Sequence, residues 1–142
     1  MVVNMYENPI EEHKNLVFPK KEKLKNKKLF EQLFSEGKSM SAFPIKLLYT
    51  KAVFDDDVSI KVGVVAPKKK FKTAVKRNRV KRLLREAYRI NKPLVFNNIE
   101  GNYAFLFLYL SNKIPNYEEV EGAMKELLKT FLKKESHEKI DT

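Results

Sequence analysis

Between Pro67 and Arg89 the chain reads PKKKFKTAVKRNRVKRLLREAYR, eleven lysines and arginines against one acid, Glu86. This segment carries +10 of the formal +11 of all 142 residues. Ammonium and guanidinium groups at such density hold polyanions, of which phosphodiester backbones are the commonest. The spacing orders them further. At about 100° per residue, Val80, Leu83, Leu84 and Ala87 share one side of a helix predicted over Ala74–Ile90, with Thr73 as its N-cap. Opposite lie Asn78, Arg82, Arg85 and Arg89; Arg79 and Lys81 flank them, and Lys76 and Arg77 occupy the first turn. Like charges at these spacings weaken an isolated helix by a few tenths of a kcal/mol per pair. A merely soluble face would mix in acids, so an anionic partner is the natural reading. Arginine offers a planar fork to phosphates and base edges, and Asn78 both donates and accepts.

Bond-breaking groups are scarce. The only histidines are His13 and His137, there is no cysteine, and no Gly-rich phosphate loop or zinc spacing occurs. Asp55-Asp56-Asp57 reads as a turn between strands before it reads as a cation site. Three classes fit the charge: an RNA-binding subunit, a structural ribosomal or RNA-assembly protein, and a helix reading the DNA major groove. A self-sufficient nuclease would need converging carboxylates that the sequence does not supply.

The remaining elements must carry this helix. The length fits one domain with a core of its own. Residues 1–17 show no periodicity and read as an irregular arm, 18–134 as the domain, and 135–142 as a frayed tail. Without cysteine a reduced compartment, the cytoplasm, is expected. Met1–Lys20 has no signal-peptide pattern, and the longest apolar run, Tyr103–Leu110, is too short to span a bilayer. No membrane or small-molecule partner is expected.

Asn26 caps a predicted helix over Lys27–Glu36, with Gly37 placed as a left-handed stop. It carries a Leu29/Leu33 row beside a Phe30/Phe34 row; either both face the core, or the Phe row lines a groove. Phe43–Phe54 alternates as a strand, Ile45, Leu47, Tyr49 and Val53 against Lys46, Leu48, Thr50 and Ala52, with Pro44 marking an edge or a beginning. Val58–Ala66 is a second strand, in which Gly63 marks a close approach or a bulge. Asn102–Leu110 is apolar on both faces and predicted central. Its Tyr103, Phe105, Phe107 and Tyr109 could stack bases, but they fit a core better. Asn116 and Glu119 open the last helix as a capping box.

The run Lys76-Arg77-Asn78-Arg79-Val80-Lys81-Arg82-Leu83-Leu84-Arg85-Glu86 resembles the signature of the bacterial ribonuclease P protein component. Phe18-Pro19-Lys20, Leu24, Phe30 and Phe34 before Gly37, and Val62-Gly63-Val64 leading to Ala74-Val75, resemble that family in order and spacing over roughly residues 18–133. The resemblance implies an α+β fold: a two-layer sandwich whose mainly antiparallel sheet contains a left-handed βαβ crossover, similar to the second domain of a small-subunit ribosomal protein. It implies an accessory subunit of an endoribonuclease in which a large RNA, holding Mg²⁺ that this chain does not bind tightly, removes the 5′ leader of precursor tRNA. Its partners would be ribonuclease P RNA, met by Lys76, Arg77, Asn78, Arg79, Lys81, Arg82, Arg85 and Arg89, and precursor tRNA. The leader would lie in a cleft lined by Phe30, Phe34 and Tyr49, with Lys68 and Lys69 nearby.

Overall fold

The computed structural model describes residues 19–141. The expectations for the arm before Phe18, for His13 and for the His137 side chain fall outside the described residues. A 3-10 turn, Lys20–Glu22, precedes α1 (Lys27–Glu36), β1 (Lys38–Ala42), β2 (Ile45–Lys51), β3 (Ile60–Val65), α2 (Ala74–Asn91), a short α3 (Pro93–Phe96), β4 (Tyr103–Tyr109) and α4 (Tyr117–Asp141). The four strands lie in the order β1-β2-β4-β3. β1 with β2 and β2 with β4 are antiparallel, whereas β3 and β4 run parallel. Parallel neighbours need a long connection, and the segment bearing the basic helix supplies it.

One sheet face is covered by α2 and α4. There Ile45, Leu47 and Tyr49 of β2, Ile60 and Val62 of β3, and Tyr103, Phe105, Phe107 and Tyr109 of β4 meet Val80, Leu84 and Tyr88 of α2 and Met124, Leu128 and Phe131 of α4. The aromatic row of β4 is therefore core: the Phe105 ring lies 4.9 Å from Phe131 and 6.0 Å from Phe107, in edge-on contacts. The other face carries a smaller cluster of Leu24, Leu33, Leu48, Ala104 and Leu106 under α1. β4 is central and covered on both faces, as its unbroken apolar run requires.

Several local expectations change. The alternation groups Val53 with Ile45, Leu47 and Tyr49 on one strand face, but β2 ends at Lys51 and Val53 is 94% exposed. Pro44 lies in the turn immediately before β2, so of its two readings it marks a strand beginning and not an edge, β2 being an inner strand. Gly37 is extended (φ −67°, ψ 148°), not left-handed; a Cβ there would lie 2.5 Å from the Leu33 carbonyl oxygen, so the helix exit leaves room only for glycine. α4 continues past residue 134 to Asp141. Its capping box closes as predicted: the Glu119 amide donates to Asn116 Oδ1 (2.9 Å), and the Asn116 amide donates to Glu119 Oε1 (3.2 Å).

Candidate nucleic-acid interface

The basic helix α2 is held rigidly. Thr73 Oγ1 accepts from the Lys76 amide (3.3 Å), capping the first turn. Val80, Leu84, Ala87, Tyr88 and Asn91 are buried, so the docking stripe runs through Tyr88 and Asn91, while Leu83 is only half-buried at its margin. The Asn91 amide group donates to the Ala87 carbonyl (2.8 Å), which lets a polar side chain end the stripe.

The cationic residues then divide by what they touch. Lys76, Asn78, Arg79 and Arg82 are exposed. Arg77, half-buried, donates through Nη1 to the carbonyls of Phe71 (2.9 Å) and Lys72 (3.1 Å), tying the lysine-rich turn to the helix. Lys81 and Arg85 are half-buried on the flank, and burial lowers the pKa of Arg85. Arg89 departs from the predicted free ridge. Its Nε and Nη2 donate to Glu86 Oε1 (3.1 Å) and Oε2 (2.8 Å) in a bidentate pair, which raises its pKa. The one acid of the segment sits three residues before its last arginine and takes that arginine's fork. Glu86→Gln is expected to change stability by no more than about 0.5 kcal/mol, because both groups are partly exposed. It should tighten RNA binding by freeing Arg89; thermal unfolding and a filter-binding titration check both.

The second surface flanks α1. Asn26 Oδ1 accepts from the amides of Lys28 (2.9 Å) and Leu29 (3.2 Å), starting the helix. The Leu24 amide donates to the Val62 carbonyl (2.9 Å) at the β3 edge, and Lys38, directly after the helix, pairs with Tyr49 at the β1 edge. α1 therefore crosses the sheet from one edge to the other. Leu33 is buried, Leu29 and Phe30 are half-buried, and Phe34 is 58% exposed. The Phe row is the outer one. Phe30 also explains Gly63: a Cβ there would come within 3.0 Å of both Phe30 Cζ and Leu106 Cδ1, so the ring rests on bare backbone. Gly63→Val is expected to expel the Phe30 ring and cost about 1–3 kcal/mol by overpacking; a urea melt with a Phe30→Ala background as control measures it.

Beyond Phe30 and Phe34 the sheet face is left half-open in a row of Val65, Leu108 and Lys46 on β3, β4 and β2. Lys68 and Lys69 are exposed in the turn that leaves β3. Phe30, Phe34 and this row make an apolar cleft with lysines at its margin. Tyr49 is not in it. Side chains alternate along β2, so Tyr49 points with Ile45 and Leu47 into the other core; it is 1% exposed, its ring 5.0 Å from Phe131. The residues that face the cleft from β2 and β4 are Lys46 and Leu108. The alternation that groups Lys46 with Leu48 was the signal for the first of these.

A cationic helix seated on a mixed four-stranded sheet, with an apolar cleft beside α1 on the far face, defines a small basic α+β protein. The model of the family "Ribonuclease P" matches residues 18–132. A ribonuclease P protein component of Porphyromonas gingivalis is 38% identical over 99 residues, 68% of this chain and 72% of that one. One from Chlorobaculum tepidum is 29% identical over 140 residues, 90% of this chain and 91% of its own. The structure of the RNase P protein from Thermotoga maritima superposes with a TM-score of 0.62 at 25% identity, covering 77% of this chain and 96% of that one. The chain belongs to the ribonuclease P protein family. That membership carries a role in tRNA 5′ processing as the protein component of an endoribonuclease, with the ribonuclease P RNA as partner. Among the described residues, no helix is long and apolar enough to cross a membrane.

Proposed function

We propose that this chain binds the catalytic RNA through the exposed face of α2 and the 5′ leader of precursor tRNA through the cleft beside α1, while the RNA performs the hydrolysis. The observation that carries this reading is the outward face of α2. Lys76, Asn78, Arg79 and Arg82 stand exposed on a capped helix docked from Val80 to Asn91, and the only acid of the helix is occupied by Arg89. Rigid cations lose little freedom on binding and neutralise phosphates at fixed spacing. Two polyanions, catalytic RNA and substrate, can then lie on opposite faces of one sheet with reduced mutual repulsion. The leader contacts favour precursor over mature tRNA, because only the precursor has a leader. Single strands are held by stacking on aromatics along a cationic groove, which matches Phe30, Phe34, Lys46 and the Lys68–Lys69 turn.

Mg²⁺ is assigned to the RNA. Asp56 accepts from Lys61 Nζ (3.0 Å), which lowers its pKa, and Asp57 pairs with Lys21 (3.7 Å), so two of the three carboxylates of the Asp55–Asp57 turn are met by lysines.

Salt dependence tests the α2 surface. Binding to ribonuclease P RNA should weaken steeply as salt rises, and Arg82→Ala should reduce the slope of log K against log[salt] by roughly 0.7–0.9. Unchanged affinity and slope would remove α2 from the RNA interface.

A further inference from the structure

α1 has two flanks, and only one is used above. On the other, the side of Leu29, an open groove of about 620 Å³ lies between the Lys20–Asn26 segment and the Val53–Asp56 turn, with Lys61 at its side. Its near lip carries Lys20, Lys21, Lys23 and Lys25. These lysines are on a tied segment. Lys23 bridges to Val62, Leu24 is buried, and Glu22, itself 8% exposed, holds Lys92 Nζ at 3.0 and 3.1 Å. The far lip presents Val53, 94% exposed, and Phe54, a half-buried ring with Lys61 Nζ 5.1 Å from its centroid. Lys61 pairs with Asp56 and Lys21 with Asp57 beside the groove, so its cationic excess rests mainly on Lys20, Lys23 and Lys25, with Asp55 as the remaining acid of the lining. A tied row of cations facing an aromatic ring is the chemistry of a single-strand site.

We propose that this groove takes the upstream part of the 5′ leader, as a continuation of the cleft at Phe30 and Phe34. The inference rests on the leader reading above. Position decides between the two RNAs. The groove and the cleft flank the same helix on the same face of the sheet, whereas the cationic face of α2 belongs to the helix layer across the sheet. A strand leaving the cleft has only α1 to pass, about 10 Å thick. The outer surface of α1 offers exposed Lys27 and Lys28 on the way.

The test uses the protein assembled with ribonuclease P RNA. Three ligands are compared: mature tRNA, a precursor with a leader of about four nucleotides, and one with about sixteen, the range a single-strand site spans. Lys20→Gln/Lys21→Gln/Lys25→Gln should weaken binding of the long-leader precursor about tenfold and lower its salt slope by about 2, at roughly 0.7 per single-strand phosphate. Binding and cleavage of the short-leader precursor should stay unchanged. Phe54→Leu, which keeps an apolar side chain, should weaken only the long-leader complex. Equal losses on all three ligands would hand the groove to the catalytic RNA and overturn the proposal, as would no loss on the long leader. Failure of the underlying leader reading shows differently: the wild-type complex would then bind the short-leader precursor and mature tRNA alike.

Discussion

Replacing Phe30 and Phe34 together by alanine is expected to weaken precursor tRNA binding by about 1–3 kcal/mol per lost stack while leaving mature tRNA binding nearly unchanged. The two rings sit one turn apart on the outer side of α1, and Phe34 is 58% exposed although the neighbouring Leu33 is buried. An isolated exposed phenylalanine needs no explanation. One aligned with a second ring, over a half-open strip of Val65, Leu108 and Lys46, makes a platform. The two positions should not weigh equally on folding. Phe30 rests on Gly63 and Leu106, so its removal also loses packing, whereas Phe34→Ala should leave stability within about 0.5 kcal/mol. Equilibrium binding of precursor and mature tRNA to the assembled complex, with thermal melts of each variant, separates the two contributions. Equal losses for both tRNAs would remove the cleft from leader binding.

Phe105→Ala is expected to destabilise the protein by about 3–5 kcal/mol, a large share of the roughly 5–15 kcal/mol that holds such a domain folded. Phe105 is fully buried on the central strand, with edge-on contacts to Tyr49, Tyr88, Phe107 and Phe131. Those rings join the sheet to both α2 and α4, so a cavity there is felt across the whole core. The melting temperature should fall by roughly 10–20 °C. RNA affinity below the new transition should change little, since no RNA-facing side chain is altered. A retained melting temperature would mean that β4 is not the centre of the core.

Much of this architecture can be read from residue types alone, and the exceptions have physical causes. α2 announces itself because its charge and its apolar stripe have the same helical period. β4 does so because Tyr103–Tyr109 is apolar at every position, which only a strand covered on both faces tolerates. β1 gives no such signal: Lys-Ser-Met-Ser-Ala has no β-branched residue and becomes a strand through its pairing with β2. Tyr49 shows two sources of inference in conflict. Strand alternation grouped it with Ile45 and Leu47, the family resemblance placed it in the cleft, and alternation is what the sheet obeys. The pairing of Arg89 was visible as the i, i+3 spacing from the segment's only acid. The groove at Lys20–Lys25 was not visible, because it forms only when the turn after β2 folds back beside a segment about thirty residues earlier.

The central claim is that the polypeptide supplies surfaces and the RNA supplies the reaction. It is tested most directly by adding the purified protein to a ribonuclease P RNA at low magnesium and mapping the 5′ end formed on precursor tRNA. RNA with protein should release the leader and leave the mature 5′ end, RNA alone should cleave far more slowly, and protein alone should leave the precursor intact. Cleavage by the protein without RNA, or no gain when the two are combined, would contradict the account.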